Sequence, residues 1–333
     1  MNRRDLLKSI GLAGATACIP SSLLAGELYT SRKTPLAPSL FAEKAGDELV
    51  YKKFFGTPEN QFSFCLNTST ISVESLTEKI DIAAKAGYKG IELWIRDVQA
   101  HVESGKSLSE LKKYITGKGL RVENAIGFAK CFVNDDNVRR EALEQVKKEM
   151  DMMAQLECKR IAAPPAGVTK DAMPDLQEMG KRYKALIEIG RTTGVMPQLE
   201  FWGASGTLFQ LGQALMVAAA ANDPDVRVLA DVYHLFRGDS GFEGLKMLNG
   251  SVIEIFHMND YPAGIPREEQ KDSDRVFPGD GAAPIKQILT DLKNMGGNKV
   301  LSLELFNPGY WKQKQLEVAK TGLMKMKGAV AAL

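Results

Sequence analysis

VMPQLEFWG (195–203), VRVLADVYH (226–234), VIEIFHMND (252–260) and KVLSLELFN (299–307) are four short apolar runs. Each closes on one buried-run polar residue: Glu200, Asp231, His257 and Glu304. Runs of this length, rich in aliphatic residues and bounded by turn formers, read as buried strands. Turn residues and a helical pattern follow each one, and strands alternating with helices build a parallel sheet. In a closed (β/α)8 barrel, the C-terminal strand ends point into the mouth where active sites are built. Three carboxylates and one imidazole converging there would make a site for one divalent metal.

The same alternation extends upstream. FSFCLNT (62–68), YKGIELWI (88–95), LRVENAIGF (120–128) and CKRIAAPP (158–165) read as four more strands. The apolar spacing predicts helices over 73–86 (with Ser72 as cap), 108–117, 136–156 and 175–194, and then near 207–220, 241–248, 284–295 and 312–331. Eight strands and eight helices in strict alternation predict one (β/α)8 TIM barrel over residues 61–333. No GxGxxG follows a strand, so a dinucleotide site has no support. Residues 26–60 lack periodicity, contain Pro35, Pro38, Gly46 and Pro58, and read as a linker.

Composition agrees with a large core. Of 333 residues, 44% are hydrophobic and 25% charged. The 43 basic and 41 acidic residues nearly cancel, which argues against a basic nucleic-acid-binding face. At the N-terminus, Arg3-Arg4 precedes a modest apolar run, Ile10 to Pro20, and small residues up to Ala25. Residues 1–25 resemble a twin-arginine export signal, which predicts a periplasmic protein cleaved near Ala25. The apolar run is too short to span a bilayer. Ala15-Thr16-Ala17-Cys18 offers an alternative, a lipid anchor on Cys18. Cys65, Cys131 and Cys158 remain, an odd number without metal-site spacing, and read as small buried hydrophobes.

Several further residues carry chemistry. His234 stands three residues past Asp231, within reach of a sugar hydroxyl or carbonyl. Arg275 precedes a Pro-Gly turn in DRVFPGDG (274–281), where a guanidinium can bind adjacent hydroxyls. Glu92 and Asn67, near the ends of strands two and one, are candidate hydroxyl binders. Trp94 and Trp202 are candidates to stack on a sugar ring. His101 reads as structural. A carboxylate-rich set suits a hard cation, and one imidazole shifts preference toward Mn²⁺, Co²⁺ or Zn²⁺.

These motifs, in this order, resemble the xylose-isomerase-like TIM-barrel superfamily of sugar isomerases and epimerases, over about residues 60–331. Resemblance to its ketose 3-epimerase members implies one divalent metal on Glu200, Asp231, His257 and Glu304. Mn²⁺ is the first expectation, with Mg²⁺, Co²⁺ or Zn²⁺ as alternatives. It implies substrate-binding roles for His234 and Arg275, with Phe277 as an extra residue before the Pro-Gly turn. It also implies that Glu200 and Glu304 move a proton to and from a carbon beside a carbonyl. The expected activity is a sugar isomerase or epimerase with a small carbohydrate as substrate. Association with further copies of the chain is left open. Two features point elsewhere: an export leader, and a long polar segment from Met258 to Phe277 that suits a larger substrate. A lyase or dehydratase of keto-sugars or 3-keto-glycosides is therefore a second reading, and a non-catalytic carbohydrate-binding barrel a third. Endonuclease IV shares the barrel, but its zinc site needs more histidines than the three here.

Overall fold

In the computed structural model, the described residues are 61–250 and 252–333. The predicted leader, Cys18 and the 26–60 linker lie outside the described residues. The strands are β1 (Phe62–Asn67), β2 (Gly90–Trp94), β3 (Arg121–Ile126), β4 (Arg160–Ala163), β5 (Met196–Glu200), β6 (Val228–Asp231), β7 (Ile255–Met258) and β8 (Lys299–Leu303). The helices are α1 (Leu76–Ala86), α2 (Ile95–Glu103), α3 (Leu108–Gly117), α4 (Asp136–Gln155), α5 (Leu176–Thr193), α6 (Leu211–Ala221), α7 (Val232–Arg237), α8 (Ile285–Asn294), α9 (Pro308–Trp311) and α10 (Gln315–Ala331). All described strands pair in parallel in the order β3-β2-β1-β8-β7-β6-β5-β4, a nearly closed barrel. At the seam, Arg160 of β4 donates to the Glu123 carbonyl oxygen of β3 at 3.1 Å, so a side chain bridges the two end strands. No helix among the described residues is long and apolar enough to cross a membrane.

The site follows from the period of two along each strand. One set of side chains faces the helices: Leu66, Ile91, Leu199, Ala230, Phe256 and Leu301 join the large outer core. The alternate set fills the barrel interior, where Cys65, Ile126, Ala162, Leu229, Ile255 and Val300 form a separate apolar cluster. Two residues beyond Leu229, Ile255 and Cys65 come Asp231, His257 and Asn67, on the same inward face. Glu304 follows Val300 and Ser302 in the same way, one residue past the end of β8. Each polar residue is thus the last inward position of its strand, standing on an apolar floor.

Some boundaries differ from the sequence reading. The first helix starts at Leu76 behind Ser75, not behind Ser72. The segment near 241–248 is a 3-10 turn, Glu243–Met247. The short helices α2, α7 and α9 were not legible, because each follows a strand directly or is only a turn long. The four-residue α9 is set by the Asn307 cap on Gly309 and by Pro308 in its first turn.

One buried carboxyl outside the mouth has a measurable consequence. Glu149 on α4 is buried, accepts from Gln145 Nε2 at 2.7 Å, and leaves Oε2 without a partner. Burial raises its pKa above the usual carboxylate range. The folded state therefore holds this proton more tightly than the unfolded chain does. The stability it contributes is full below the ordinary carboxylate pKa and is lost as pH rises through the raised value. Glu149→Gln has no proton to lose. Its melting temperature relative to wild type should climb from pH 4 to pH 8; a difference that stays flat with pH would contradict the assignment.

Candidate metal centre

Asp231, His257 and Glu304 converge at the C-terminal mouth, with one potential ligand atom from each within 4.8 Å of the others. His257 is fully buried between carboxylates. Its Nε2 lies 3.0 Å from Glu92 Oε1. A carboxylate only accepts, so Nε2 carries a hydrogen, and Nδ1 faces the trio, where a cation would displace the proton that the carboxylates otherwise hold on it. Nδ1 stands 3.1 Å from Glu304 Oε2 and 3.7 Å from Asp231 Oδ2, yet neither contact has hydrogen-bond geometry. A buried nitrogen without a hydrogen-bond partner, facing two carboxylates, fits a cation ligand.

The electrostatics say the same. Glu92, Glu200, Asp231 and Glu304 are all buried here, with Arg275 as the permanent cation among them. Burial, with Glu304 and Asp231 adding to it, pushes Glu200 up to about 8. Burial alone would lower His257, but Glu304 and Glu92 hold it well above the usual histidine range. Burial alone would also raise Glu304, but His257 and Arg275 hold it below the carboxylate range. The His257 shift marks the negative charge gathered around it, which a divalent cation would offset, whereas the Glu200 shift is chiefly the cost of burying its charge. Glu200 stands beside the trio and is not within 4.8 Å of all three, with the Trp202 side chain near its carboxyl.

Glu92 and Asn67, expected to bind hydroxyls, have their polar atoms engaged inside the protein. Glu92 accepts from Asn67 and Ser302 on Oε2 and from Asn124 and His257 on Oε1. Asn67 also donates to Glu304 Oε1 at 2.9 Å and accepts from Trp94 Nε1 at 2.9 Å. Glu92 thus sets the tautomer and orientation of His257, as a carboxylate behind a metal-binding imidazole does. Asn124 reaches it because the β2–β3 register shifts between Ile91 and Glu92, and a bulge re-aims the side chains beside it.

Arg275 is almost fully buried. Its Nη1 donates to Asp231 Oδ2 and to Glu304 Oε2, both at 2.9 Å, and its Nη2 pairs with Asp272. The guanidinium lies between the Tyr233 ring at 4.6 Å and the Phe306 ring at 5.1 Å. The buried Asp260 carboxylate pins the loop behind it, accepting from the backbone N–H groups of Tyr261, Gly279, Gly281 and Ala283. A Cβ on Gly281 would stand 2.2 Å from the Tyr261 carbonyl oxygen, so that close approach requires glycine. Phe277, the extra residue, stacks on Tyr310 at 4.3 Å and anchors the loop.

His234 is buried. Burial, with Arg275 beside it, holds it below the usual histidine range despite Asp231. Its backbone N–H is capped by Asp231 Oδ1 at 2.9 Å, and its Nε2 lies 3.3 Å from Arg275 Nη2. Around the rim an aromatic arc runs from Phe306 through Trp94 and Phe128 to Trp202, at centroid separations of 6.1, 5.3 and 6.1 Å. The half-exposed Phe128 was not singled out in the sequence; its one signal is its position just past β3. Asn259 was also missed: it donates to Asp231 Oδ2 and accepts from the Tyr233 N–H. His101 lies on α2 and takes no part in these contacts.

Comparison with known proteins places this geometry. The profile of the family described as Xylose isomerase-like TIM barrel matches residues 80–327. An inosose isomerase of Bacillus velezensis is 31% identical over 270 residues, covering 77% of this chain and 93% of that protein. A 3-dehydroshikimate dehydratase of Pseudomonas aeruginosa is 24% identical over 254 residues, covering 73% of this chain but 38% of that protein. Among solved structures, the IOLI protein with a bound zinc atom superposes with a TM-score of 0.74 at 26% identity, over 81% of this chain and 98% of that one. An L-ribulose 3-epimerase structure shares the fold, with a TM-score of 0.66 at 17% identity, over 81% of this chain and 94% of that one. The chain belongs to the xylose isomerase-like TIM barrel family.

Proposed function

We propose that this chain is a metal-dependent isomerase or epimerase of polyhydroxylated ketones, the class to which the inososes named for its relatives belong. The observation that carries the reading is the trio Asp231, His257 and Glu304 at the barrel mouth, with Glu200 beside it. A divalent ion held by Asp231, His257 and Glu304, with Glu200 adjacent, would act as a Lewis acid on a substrate carbonyl. Mn²⁺ is our first choice for a site of mixed carboxylates and one imidazole, and the zinc of the IOLI protein keeps Zn²⁺ as the alternative.

The protein's own groups supply the rest. One glutamate takes the proton from the carbon beside the carbonyl, and the electron pair moves onto the carbonyl oxygen. The other glutamate returns a proton to the opposite face of that carbon, which inverts it, or the neighbouring carbon is protonated and the carbonyl moves. Glu200, with a pKa raised toward neutrality, suits a group that must both accept and donate near pH 7. His234, held neutral, can hydrogen-bond a hydroxyl, and Arg275 keeps Asp231 and Glu304 aligned.

Elimination is the second reading, favoured by the dehydratase relatives: the same abstraction expels a group β to the carbonyl. Incubating the metal-loaded protein in D₂O with ketoses, inososes and 3-keto-glycosides separates the two. We expect one class to return deuterium beside the carbonyl together with a stereoisomer or positional isomer. An unsaturated product would install the lyase reading. No exchange with any of them would defeat both.

We further propose periplasmic export directed by Arg3 and Arg4, supported by the pair ahead of a weakly apolar stretch. Replacing both with lysine should strand the precursor in the cytoplasm on fractionation; normal export of that variant would refute the leader.

A further inference from the structure

A pocket of about 350 Å³ opens between the loop after β5, the end of α7 and the segment after β7. That volume is in the range of small-molecule sites. Its wall is built of backbone in close contact. A Cβ on Gly203 would stand 2.5 Å from the His234 carbonyl oxygen, and one on Gly238 would stand 1.9 Å from that of Phe209. The pocket wall at Gly203 and Gly238 is therefore formed by closely packed loop backbone. It also adjoins the candidate centre. The Gly203 N–H faces His234 Nδ1 at 3.3 Å, and Gly203 stands three residues past Glu200, at most about 11 Å along an extended chain.

The lining has a definite chemistry. Arg267 pairs with Asp239. Arg237 donates from Nε to the Gln270 carbonyl at 3.2 Å and from Nη2 to the Glu268 carbonyl at 2.9 Å. Its contacts among the described residues are thus to carbonyls, with no carboxylate within ion-pair distance. Two arginines and two acids, Asp239 and Glu268, sum to zero charge in the lining. That balance disfavours a site built for an anion. Arginine, carboxylate and amide side chains lining the pocket together with Phe209 suit an uncharged, hydroxyl-rich ligand with an apolar face.

We infer that this pocket is a distal subsite for a glycosyl unit attached to the keto ring held at the mouth, so that the substrate is a glycoside larger than one sugar. The inference rests on the proposed ketone chemistry for the inner ring.

The test uses the metal-loaded protein, 3-ketoglucose, and the 3-keto-disaccharide obtained by oxidising trehalose at one ring. We expect kcat/KM for the disaccharide to exceed that for the monosaccharide by about tenfold or more, one lost or gained good polar contact. Arg237→Gln should erase most of that advantage while the monosaccharide value stays within about twofold. Equal values for the two sugars in wild type, or an equal loss for both in the variant, would overturn the subsite. Calorimetric titration with trehalose and glucose decides the matter independently of turnover. Tighter trehalose binding that weakens in Arg237→Gln supports the subsite even if neither keto-sugar reacts, an outcome that would instead remove the proposed reaction. Indistinguishable binding of the two sugars removes the subsite.

Discussion

Glu200→Gln is expected to lower turnover by a factor on the order of 10²–10⁴, the usual cost of removing a positioned acid/base group. Glu304→Gln is expected to do the same. The two variants should differ in what survives. Glu200 stands beside the trio and outside it, so its amide variant should keep most of the bound metal. Glu304 belongs to the trio and accepts from Asn67 and Arg275, so its amide variant should lose metal as well as rate. In D₂O one variant should still exchange substrate hydrogen without net conversion, because a single base can remove and return a proton on its own face. That asymmetry belongs to a two-base reaction. If both variants keep near-normal turnover with metal bound, the glutamates are not the acid/base pair, and the carbohydrate-binding reading gains.

The second large effect is on metal content. Asp231→Asn should weaken metal binding by about 100-fold or more, since even partners behind the ligands typically cost 10–100-fold. The amide is preferable to alanine for a structural reason. Asp231 Oδ1 accepts the His234 N–H at the start of α7, and losing such a cap costs about 1 kcal/mol. Either substitution takes one carboxylate away from the buried Arg275. Asparagine keeps the cap oxygen but turns its NH2 toward the donors of Asn259 and Arg275, so circular dichroism must show a retained fold before metal loss is read. Asp272→Asn is the control: it faces Arg275 from a half-exposed position but is outside the trio, and should keep its metal. Unchanged metal content in Asp231→Asn would rule out the trio as the centre.

The barrel and the place of its mouth were legible in the chain because both are consequences of period. A side chain two residues beyond an inward apolar one is also inward, and a strand followed by a helix ends at the same rim as its neighbours. That is why Glu200, Asp231, His257 and Glu304 could be placed at one end from 195–307 alone, and why Asn67, Glu92, His234, Arg275 and Trp202 reach the same mouth. What each of them does there was decided only in three dimensions. Glu92 looked like a hydroxyl binder, yet four donors from β1, β3, β7 and β8 converge on it. Asn124 joins it through a register shift that no local pattern announces. Arg275 comes to lie between two carboxylates where Asp260, 15 positions upstream in sequence, bridges Val276 and holds the turn just past Arg275 by the amides of Gly279, Gly281 and Ala283. Periodicity is a property of the chain and fixes direction along one strand. Hydrogen-bond partnership depends on differences of about a few tenths of an ångström in the separation of residues up to 237 positions apart, and only the folded barrel sets those.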